Sequence, residues 1–303
     1  MTLILDIKGN SLDDGPGIRS VVFFKGCPLS CVWCHNPESQ KIGAEIAFDE
    51  KKCIDCGACR EACAEKALSH ENRFYIDRKR CTLCFVCVEE CPSGALERAG
   101  NPMALHEVLT KVLRDKPFFD VSGGGVTLSG GEPTLHPAFL SELLIAFKKN
   151  GVHTLLETCG LYDRDRFMES IYPHLDAVYY DIKIIDPELH RRYCGPTNEK
   201  ILDNFIHLSR IARPDGKTVL PRTPLIPGIT DTEKNMREIA AFLKGLAITE
   251  AVLLPYNPLW HEKTKKIGVE DPSISIRAMN TFSDKGVLER CRAIFQEAGI
   301  STP

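Results

Sequence analysis

No apolar run in the sequence is long enough to cross a bilayer, and the N-terminus lacks the basic-then-apolar layout of a secretory signal. Those absences argue against a spanning helix and against export, so a cytoplasmic protein with no membrane partner is expected. A charge surplus is missing too. The formal net charge is -3, which gives no electrostatic footprint for nucleic acid, and no nucleic-acid partner is expected. Hydrophobic residues make up 43% of the 303 positions, enough to bury a full core in one large domain or in one domain carrying an insertion.

Cysteine, by contrast, is plentiful. In an exported chain fourteen cysteines would suggest disulfides, but clustered at short spacings and without an export signal they read as thiolate ligands for zinc or iron–sulfur. The stretch GCPLSCVWCHNPES (Gly26 to Ser39) holds Cys27, Cys31 and Cys34 in a C-x3-C-x2-C spacing with no fourth partner nearby. A site built there is one ligand short.

Two further runs form an internal repeat. CIDCGACREAC carries Cys53, Cys56, Cys59 and Cys63; CTLCFVCVEEC carries Cys81, Cys84, Cys87 and Cys91 at matching positions. The repeat resembles the bacterial two-cluster ferredoxin pattern C-x2-C-x2-C-x3-C-P. That resemblance implies two 4Fe–4S clusters with exchanged fourth ligands, one on Cys53, Cys56, Cys59 and Cys91, the other on Cys81, Cys84, Cys87 and Cys63. Pro92 follows the second run while Ala64 takes its place in the first; the proline shapes the chain path and is not a ligand. The alternative, a pair of zinc sites, would leave two cysteines of each run idle.

Elsewhere strands alternate with helices. Apolar, β-branched segments occur at Ser20 to Gly26, Gly125 to Gly131, His153 to Thr158, Ala177 to Lys183, Thr218 to Leu225 and Ala251 to Asn257. Between them Leu105, Val108, Leu109, Val112 and Leu113 recur at helical spacing, as do Leu140, Leu143, Leu144 and Phe147 ahead of a stop at Gly151. Alternation of this kind implies parallel strands and right-handed crossovers. Six units suit a partial (β/α)6 barrel, with a doubly wound open sheet as the rival. The cysteine repeat falls between the first and second strands, which predicts an α/β barrel begun by residues 1–47, a ferredoxin-like insertion at 48–98, and the rest of the barrel with a C-terminal helix at 99–303.

In such barrels catalytic groups gather at the C-terminal ends of the strands. The cysteine loop follows the first strand; Gly130, Gly131 and Glu132 close the second; Glu157 and Thr158 close the third. Asp181 and Lys183 end the fourth, Arg222 lies in the fifth and Asn257 ends the sixth. Each has a plain structural explanation: a tight turn for the glycines, an exposed ion pair for Asp181 and Lys183, a solvated charge for Arg222. Their recurrence at one end of successive strands favours a shared rim.

The C-x3-C-x2-C loop with Trp33 before its last cysteine resembles the signature of the radical S-adenosylmethionine (SAM) superfamily. The stretches DDGPGIRSVVFFKGC, CHNPES, SGGGVTLSGGEPTLHP, YYDIK, RTPLIPGIT and LLPYN are together similar to the activating enzymes of glycyl radical enzymes, in the subgroup with two extra clusters. In that family three thiolates hold a 4Fe–4S cluster and the cofactor supplies the missing ligand, the logic by which catalytic metal sites keep an open position. The resemblance implies three 4Fe–4S clusters and SAM as cofactors. It also implies that Trp33, Cys34 and His35 contact the nucleoside, Gly130, Gly131 and Glu132 meet the methionine amino group, Asp181 and Lys183 lie near the SAM carboxylate and ribose, and Arg222 faces the cofactor. Glu157, Thr158 and Asn257 complete the expected cofactor-binding set.

Three positions depart from the better-known formate-lyase activase pattern. Glu157 stands where aspartate is common, Asn257 where histidine is common, and Cys194 where threonine is common. With Cys159 and Cys291, Cys194 is expected to be a buried packing residue.

The implied reaction is reductive cleavage of SAM to methionine and a 5′-deoxyadenosyl radical that takes hydrogen from the Cα of a partner protein's glycine. The implied partners are a glycyl radical enzyme and reduced flavodoxin or ferredoxin as electron donor, and DDGPGIRS is either a wall of the mouth that admits the glycine loop or a plain turn. Two rivals stand beside this reading: another radical SAM reaction on a peptide or small molecule, and a non-catalytic iron–sulfur electron carrier.

Overall fold

The computed structural model describes residues 1–270 and 277–303, so the expected segment 99–303 is described apart from residues 271–276. The strands are β1 (Leu3–Ser11), β2 (Arg19–Phe24), β3 (Glu45–Phe48), β4 (Leu96–Ala99), β5 (Asn101–Pro102), β6 (Gly125–Gly130), β7 (His153–Thr158), β8 (Ala177–Asp181), β9 (Thr218–Leu225) and β10 (Val252–Pro255). One eight-stranded sheet runs β10-β9-β8-β7-β6-β2-β1-β5, and β3 pairs with β4 apart from it.

The six segments read as strands are the six that lie parallel, in the neighbouring order β2, β6, β7, β8, β9 and β10. β6 shows why they read as continuous apolar runs: five of its six residues are buried, as in a parallel strand covered on both faces. Because β10 and β5 stand at opposite edges, the sheet is open and the barrel is partial. Antiparallel β1 was not anticipated. Its signal was there, since exposed Asp6, Lys8 and Asn10 alternate with the less exposed Leu5, Ile7 and Gly9.

The helices pack as their spacing requires. Leu105–Leu113 buries Val108 and Val112, and Pro137–Lys149 buries Leu140, Leu143, Leu144 and Phe147. The second stops at the expected glycine: Gly151 takes φ +68°, its N–H donates to Lys148 O at 3.0 Å, and Val152 N–H donates to Phe147 O at 3.1 Å. That pair of bonds satisfies two carbonyls the helix end leaves open.

The cysteine repeat lies between β3 and β4, whose antiparallel register brings Glu45 opposite Ala99 and Phe48 opposite Leu96. It has a small core of its own, with Ile46, Leu68, Tyr75, Ile76 and Leu96 packed around Cys59 and Cys87. Lys25, wholly buried just after β2, ties this insertion to the large sheet: its Nζ lies 3.0 Å from Glu45 Oε2 and donates to Glu38 O. A lysine is buried at tolerable cost only when its charge is met in this way.

Candidate active site

The chain past the C-terminal ends of the parallel strands encloses a cavity of about 440 Å³. Cys27, Cys31, Trp33, Cys34 and His35 line it from the loop after β2, and Gly130 and Gly131 from the end of β6. Glu157 and Thr158, Asp181 and Lys183, Arg222, and Asn257 line it from β7 to β10 in turn. Of the residues expected around the cofactor, only Glu132 is not in this lining.

Close backbone approach explains the two glycines. A Cβ on Gly130 would meet Phe24 N at 2.4 Å, and one on Gly131 would meet Gly26 O at 2.1 Å. The absence of side chains lets Gly131 N–H donate to Phe24 O and Glu132 N–H to Gly26 O, which seats the end of β6 against the start of the cysteine loop.

Glu132 is fully buried and has turned inward. Its carboxylate accepts from Thr134 N–H at 3.2 Å, Thr134 Oγ1 at 2.7 Å, Thr158 Oγ1 at 3.0 Å and Cys159 N–H at 2.7 Å. These bonds tie the turn after β6 to the end of β7. Glu132→Gln would set an amide N–H₂ against groups that need an acceptor, and an unsatisfied buried group costs about 1–3 kcal/mol. A loss of about 2 kcal/mol in a urea titration is expected; an unchanged midpoint would show that the turn holds without the carboxylate.

Two cations and two carboxylates form the charged wall. Arg222 Nη1 bonds Glu157 Oε1, its Nε and Nη2 lie 3.2 and 3.1 Å from Asp181 Oδ1, and Lys183 Nζ lies 3.0 Å from Asp181 Oδ2. Ser129 Oγ donates to Glu157 Oε2 at 2.6 Å. Burial by itself would push the Asp181 carboxyl up, but Lys183 and Arg222 together hold it below the usual range. Burial likewise opposes charge on both cations, and the carboxylates outweigh it, so both are raised. Asp181, Lys183 and Arg222 therefore stay ionised at neutral pH. The guanidinium occupies Glu157, the position where the departure from aspartate was noted.

The cysteine loop is held mainly by backbone. Ser30 N–H donates to Cys194 O at 2.8 Å and Val32 N–H to Tyr193 O at 3.0 Å, carbonyls that the last turn of helix Pro187–Cys194 leaves open. Lys263 Nζ reaches His35 O and Asn36 Oδ1 at 3.0 and 2.8 Å. Burial first, then Lys263 and His261, hold the His35 imidazole down to about 4, so it is neutral at pH 7. Trp33 is 4% exposed and packs with Ile184, Ile226 and Tyr256 beneath the cavity.

Cys159, Cys194 and Cys291 are all buried, as expected of packing residues. Two of them have a second property that spacing did not reveal. The neighbouring Cys159 thiol lowers the titration of Cys27, while Cys194 and then burial push Cys31 up. Burial, then neighbouring Cys31, pushes Cys34 up to about 12, so ligation there must displace protons. Asp13 and Asp14 also line the cavity, which places DDGPGIRS at its wall.

The repeat is arranged around a second space. Cys53, Cys56, Cys59 and Cys91 line one small cavity, three from the first run and one from the second. Burial first, then neighbouring Cys81, Cys63, Cys84 and Cys59, pushes Cys87 up to about 11. Among the described residues no three His, Cys, Asp or Glu side chains converge closely enough for one ion. A third cavity, about 490 Å³, lies between the insertion and helix Trp260–Lys266, and its charges pair with one another as Lys51–Glu262, Lys266–Asp49 and Arg73–Glu270.

Residues 78–242 match the radical SAM superfamily, and residues 26–95 match the 4Fe–4S dicluster domain. The chain is 41% identical to the trans-4-hydroxy-L-proline dehydratase activating enzyme of Clostridioides difficile, over 88% of this chain and 87% of that one. It is 42% identical to the isethionate sulfite-lyase activating enzyme of Desulfovibrio desulfuricans, over 93% and 91% of the two chains. The fold is shared with a radical SAM methyltransferase from Sphaerobacter thermophilus, at a TM-score of 0.54 and 12% identity over 100% of this chain and 76% of that one.

Proposed function

The chain belongs to the radical SAM enzymes that activate glycyl radical enzymes, and from that premise we propose how its residues divide the work. It is an enzyme that uses iron–sulfur and SAM, and its partner is a glycyl radical enzyme. A cluster held by Cys27, Cys31 and Cys34 would supply the electron for reductive cleavage of bound SAM, which would furnish the 5′-deoxyadenosyl group that takes hydrogen from the partner's glycine Cα.

Cys27, Cys31 and Cys34 fit a three-thiolate cluster site, since all three face one cavity and leave a side of it open. This chain's other groups bind and orient SAM. Backbone at Gly130 and Gly131 offers acceptors to the methionine ammonium where no side chain intrudes. Lys183 and Arg222 give the SAM carboxylate two cations already fixed by Glu157 and Asp181, so little reorganisation accompanies binding. Trp33, His35 and Asn257 border the adenosine, with His35 edge-on to Tyr256 at 5.9 Å, and Thr158 holds the β7 end in place. Glu132 acts through the turn it ties down. Asp13 and Asp14 form the wall that admits the glycine loop.

Two auxiliary clusters on Cys53, Cys56, Cys59 and Cys91, and on Cys81, Cys84, Cys87 and Cys63, bring the total to three. They relay electrons from reduced flavodoxin or ferredoxin. The division into 1–47, 48–98 and 99–303 and a cytoplasmic location belong to the same proposal; among the described residues no helix is long and apolar enough to cross a membrane.

The observation that carries this reading is the convergence of the three loop cysteines with the groups of five further strand ends on one cavity. The test is anaerobic: the iron-reconstituted protein, reduced with SAM present, should produce 5′-deoxyadenosine and, with its partner, a glycyl radical seen by electron paramagnetic resonance. Product with no radical on any candidate partner would favour a different radical SAM reaction.

A further inference from the structure

The two halves of the cysteine repeat look equivalent in sequence, and their solvent exposure is similar: Cys56 and Cys84 are exposed, Cys59 and Cys87 buried. Their hydrogen bonding is not. Tyr75, between the runs, places its hydroxyl 3.1 Å from Cys59 Sγ, and Ser93 Oγ lies 3.7 Å from Cys91 Sγ. Both sulfurs line the cavity of Cys53, Cys56, Cys59 and Cys91. On the other set the bond is a backbone one, Ala67 N–H to Cys63 Sγ at 3.4 Å. Among the described residues no hydroxyl reaches Cys81, Cys84, Cys87 or Cys63.

Tyr75 is held in place at a conformational cost. Its φ is +66°, a region that bulky residues rarely enter and that persists only where the surroundings over-determine it. Those surroundings are visible: Ser69 N–H and Asn72 Nδ2 donate to Tyr75 O at 3.0 and 3.1 Å, and the ring stacks on Phe48 at 4.0 Å. Between a free thiol and a phenol either group could donate. Once Cys59 is a thiolate it can only accept, so Tyr75 must donate.

We propose that Tyr75 is a positioning residue that raises the reduction potential of the cluster on Cys53, Cys56, Cys59 and Cys91 above that of its twin on Cys63, Cys81, Cys84 and Cys87. The role rests on the reading that these cysteines hold two clusters. Hydrogen bonds to cluster sulfurs are one of the levers that set such potentials. Reduction adds one electron from a flavodoxin- or ferredoxin-class donor and increases negative charge on sulfur. Tyr75 then donates into a stronger acceptor; no bond breaks and its proton stays on oxygen. An electron entering the insertion therefore settles first on the cluster beside Tyr75.

The test uses the full chain with Cys27, Cys31 and Cys34 replaced by alanine, so that only the insertion's clusters titrate. Iron and sulfide are measured first, then both potentials by paramagnetic resonance, with Cys84→Ala assigning which is which. Tyr75→Phe keeps the ring and removes the donor. The ratio of reduced to oxidised cluster at the original midpoint should fall about tenfold, about 59 mV for a one-electron couple, while the other potential stays. If Tyr75→Phe does not hold iron, 3-fluorotyrosine at position 75 keeps the ring and donates more strongly, and the same potential should rise. Clusters present with both potentials unmoved overturn the role of Tyr75 alone; a parent protein that takes up neither cluster overturns the two-cluster reading and this role with it.

Discussion

Cys31→Ala should reduce 5′-deoxyadenosine to the background of the cluster-free protein while leaving the fold in place. The loop does not depend on this side chain for its course: Cys34 N–H and Gln40 Nε2 both donate to the Cys31 carbonyl, at 3.1 and 3.3 Å, and flanking Ser30 and Val32 are held by the end of helix Pro187–Cys194. Alanine keeps every one of those backbone bonds. It removes one of the three thiolates proposed to hold the cluster, so the site should lose that cluster. Iron content should drop by one cluster's share, the unfolding temperature should stay near that of the parent, and product should vanish in the same sample. Product persisting at the parental level would show that SAM cleavage does not depend on a cluster held by this loop.

Arg222→Met should give the largest loss of stability at the site. Removing one partner of a buried ion pair leaves the other uncompensated, at about 3–5 kcal/mol. Here Glu157 loses its cationic partner, and Asp181 keeps only Lys183. The side chains are 12–24% exposed, which places the expected cost at the lower end, about 3 kcal/mol.

The pH dependence supplies a signature. In the parent, Lys183 and Arg222 hold Asp181 below its ordinary value, so Asp181 contributes stability that is full above the unfolded carboxylate range and is lost as pH falls through its folded pKa. In the variant burial loses half its opposition and the folded pKa rises. The gap between parent and variant should therefore narrow as pH falls from neutrality through the carboxylate range. Urea titrations at several pH values measure this, and a gap that stays constant would mean that the loss comes from packing. Pairing Arg222→Met with Glu157→Gln should recover part of the stability, because the stranded charge goes with its partner. SAM affinity should stay weakened in the double variant, since it still lacks one of the two cations proposed to meet the carboxylate.

Parallel strands β2, β6, β7 and β8 were legible because burial on both faces imposes a nearly uninterrupted apolar run. Gly130 and Gly131 were legible as a pair; their reason, that a Cβ at either would meet the backbone of Phe24 or Gly26 within 2.6 Å, belongs to the packing of β6 on β2. Glu132 shows the limit. Adjacent to two cavity residues in sequence, it turns inward because Thr134, Thr158 and the Cys159 amide offer it more hydrogen bonds than a side chain at the rim would find. Lys25 and Glu45 gave no warning of their pairing, since an isolated lysine after a strand looks like any surface charge.

What the sequence by itself determined is whatever acts over a few residues: three thiols in one loop with a place left open, two runs of matching cysteines, strand ends carrying polar groups, and a glycine to stop a helix. Ligand spacing and secondary-structure period are short-range properties, and a single chain displays them directly. Tertiary structure alone decided which charges meet and which hydroxyl reaches which sulfur. Arg222 finds Glu157 and Asp181 at separations of 65 and 41 residues, and Tyr75 reaches Cys59 from a left-handed turn stacked on Phe48. Those contacts depend on strand register and on how a small insertion folds back on itself, where a shift of one residue would point each side chain to the opposite face.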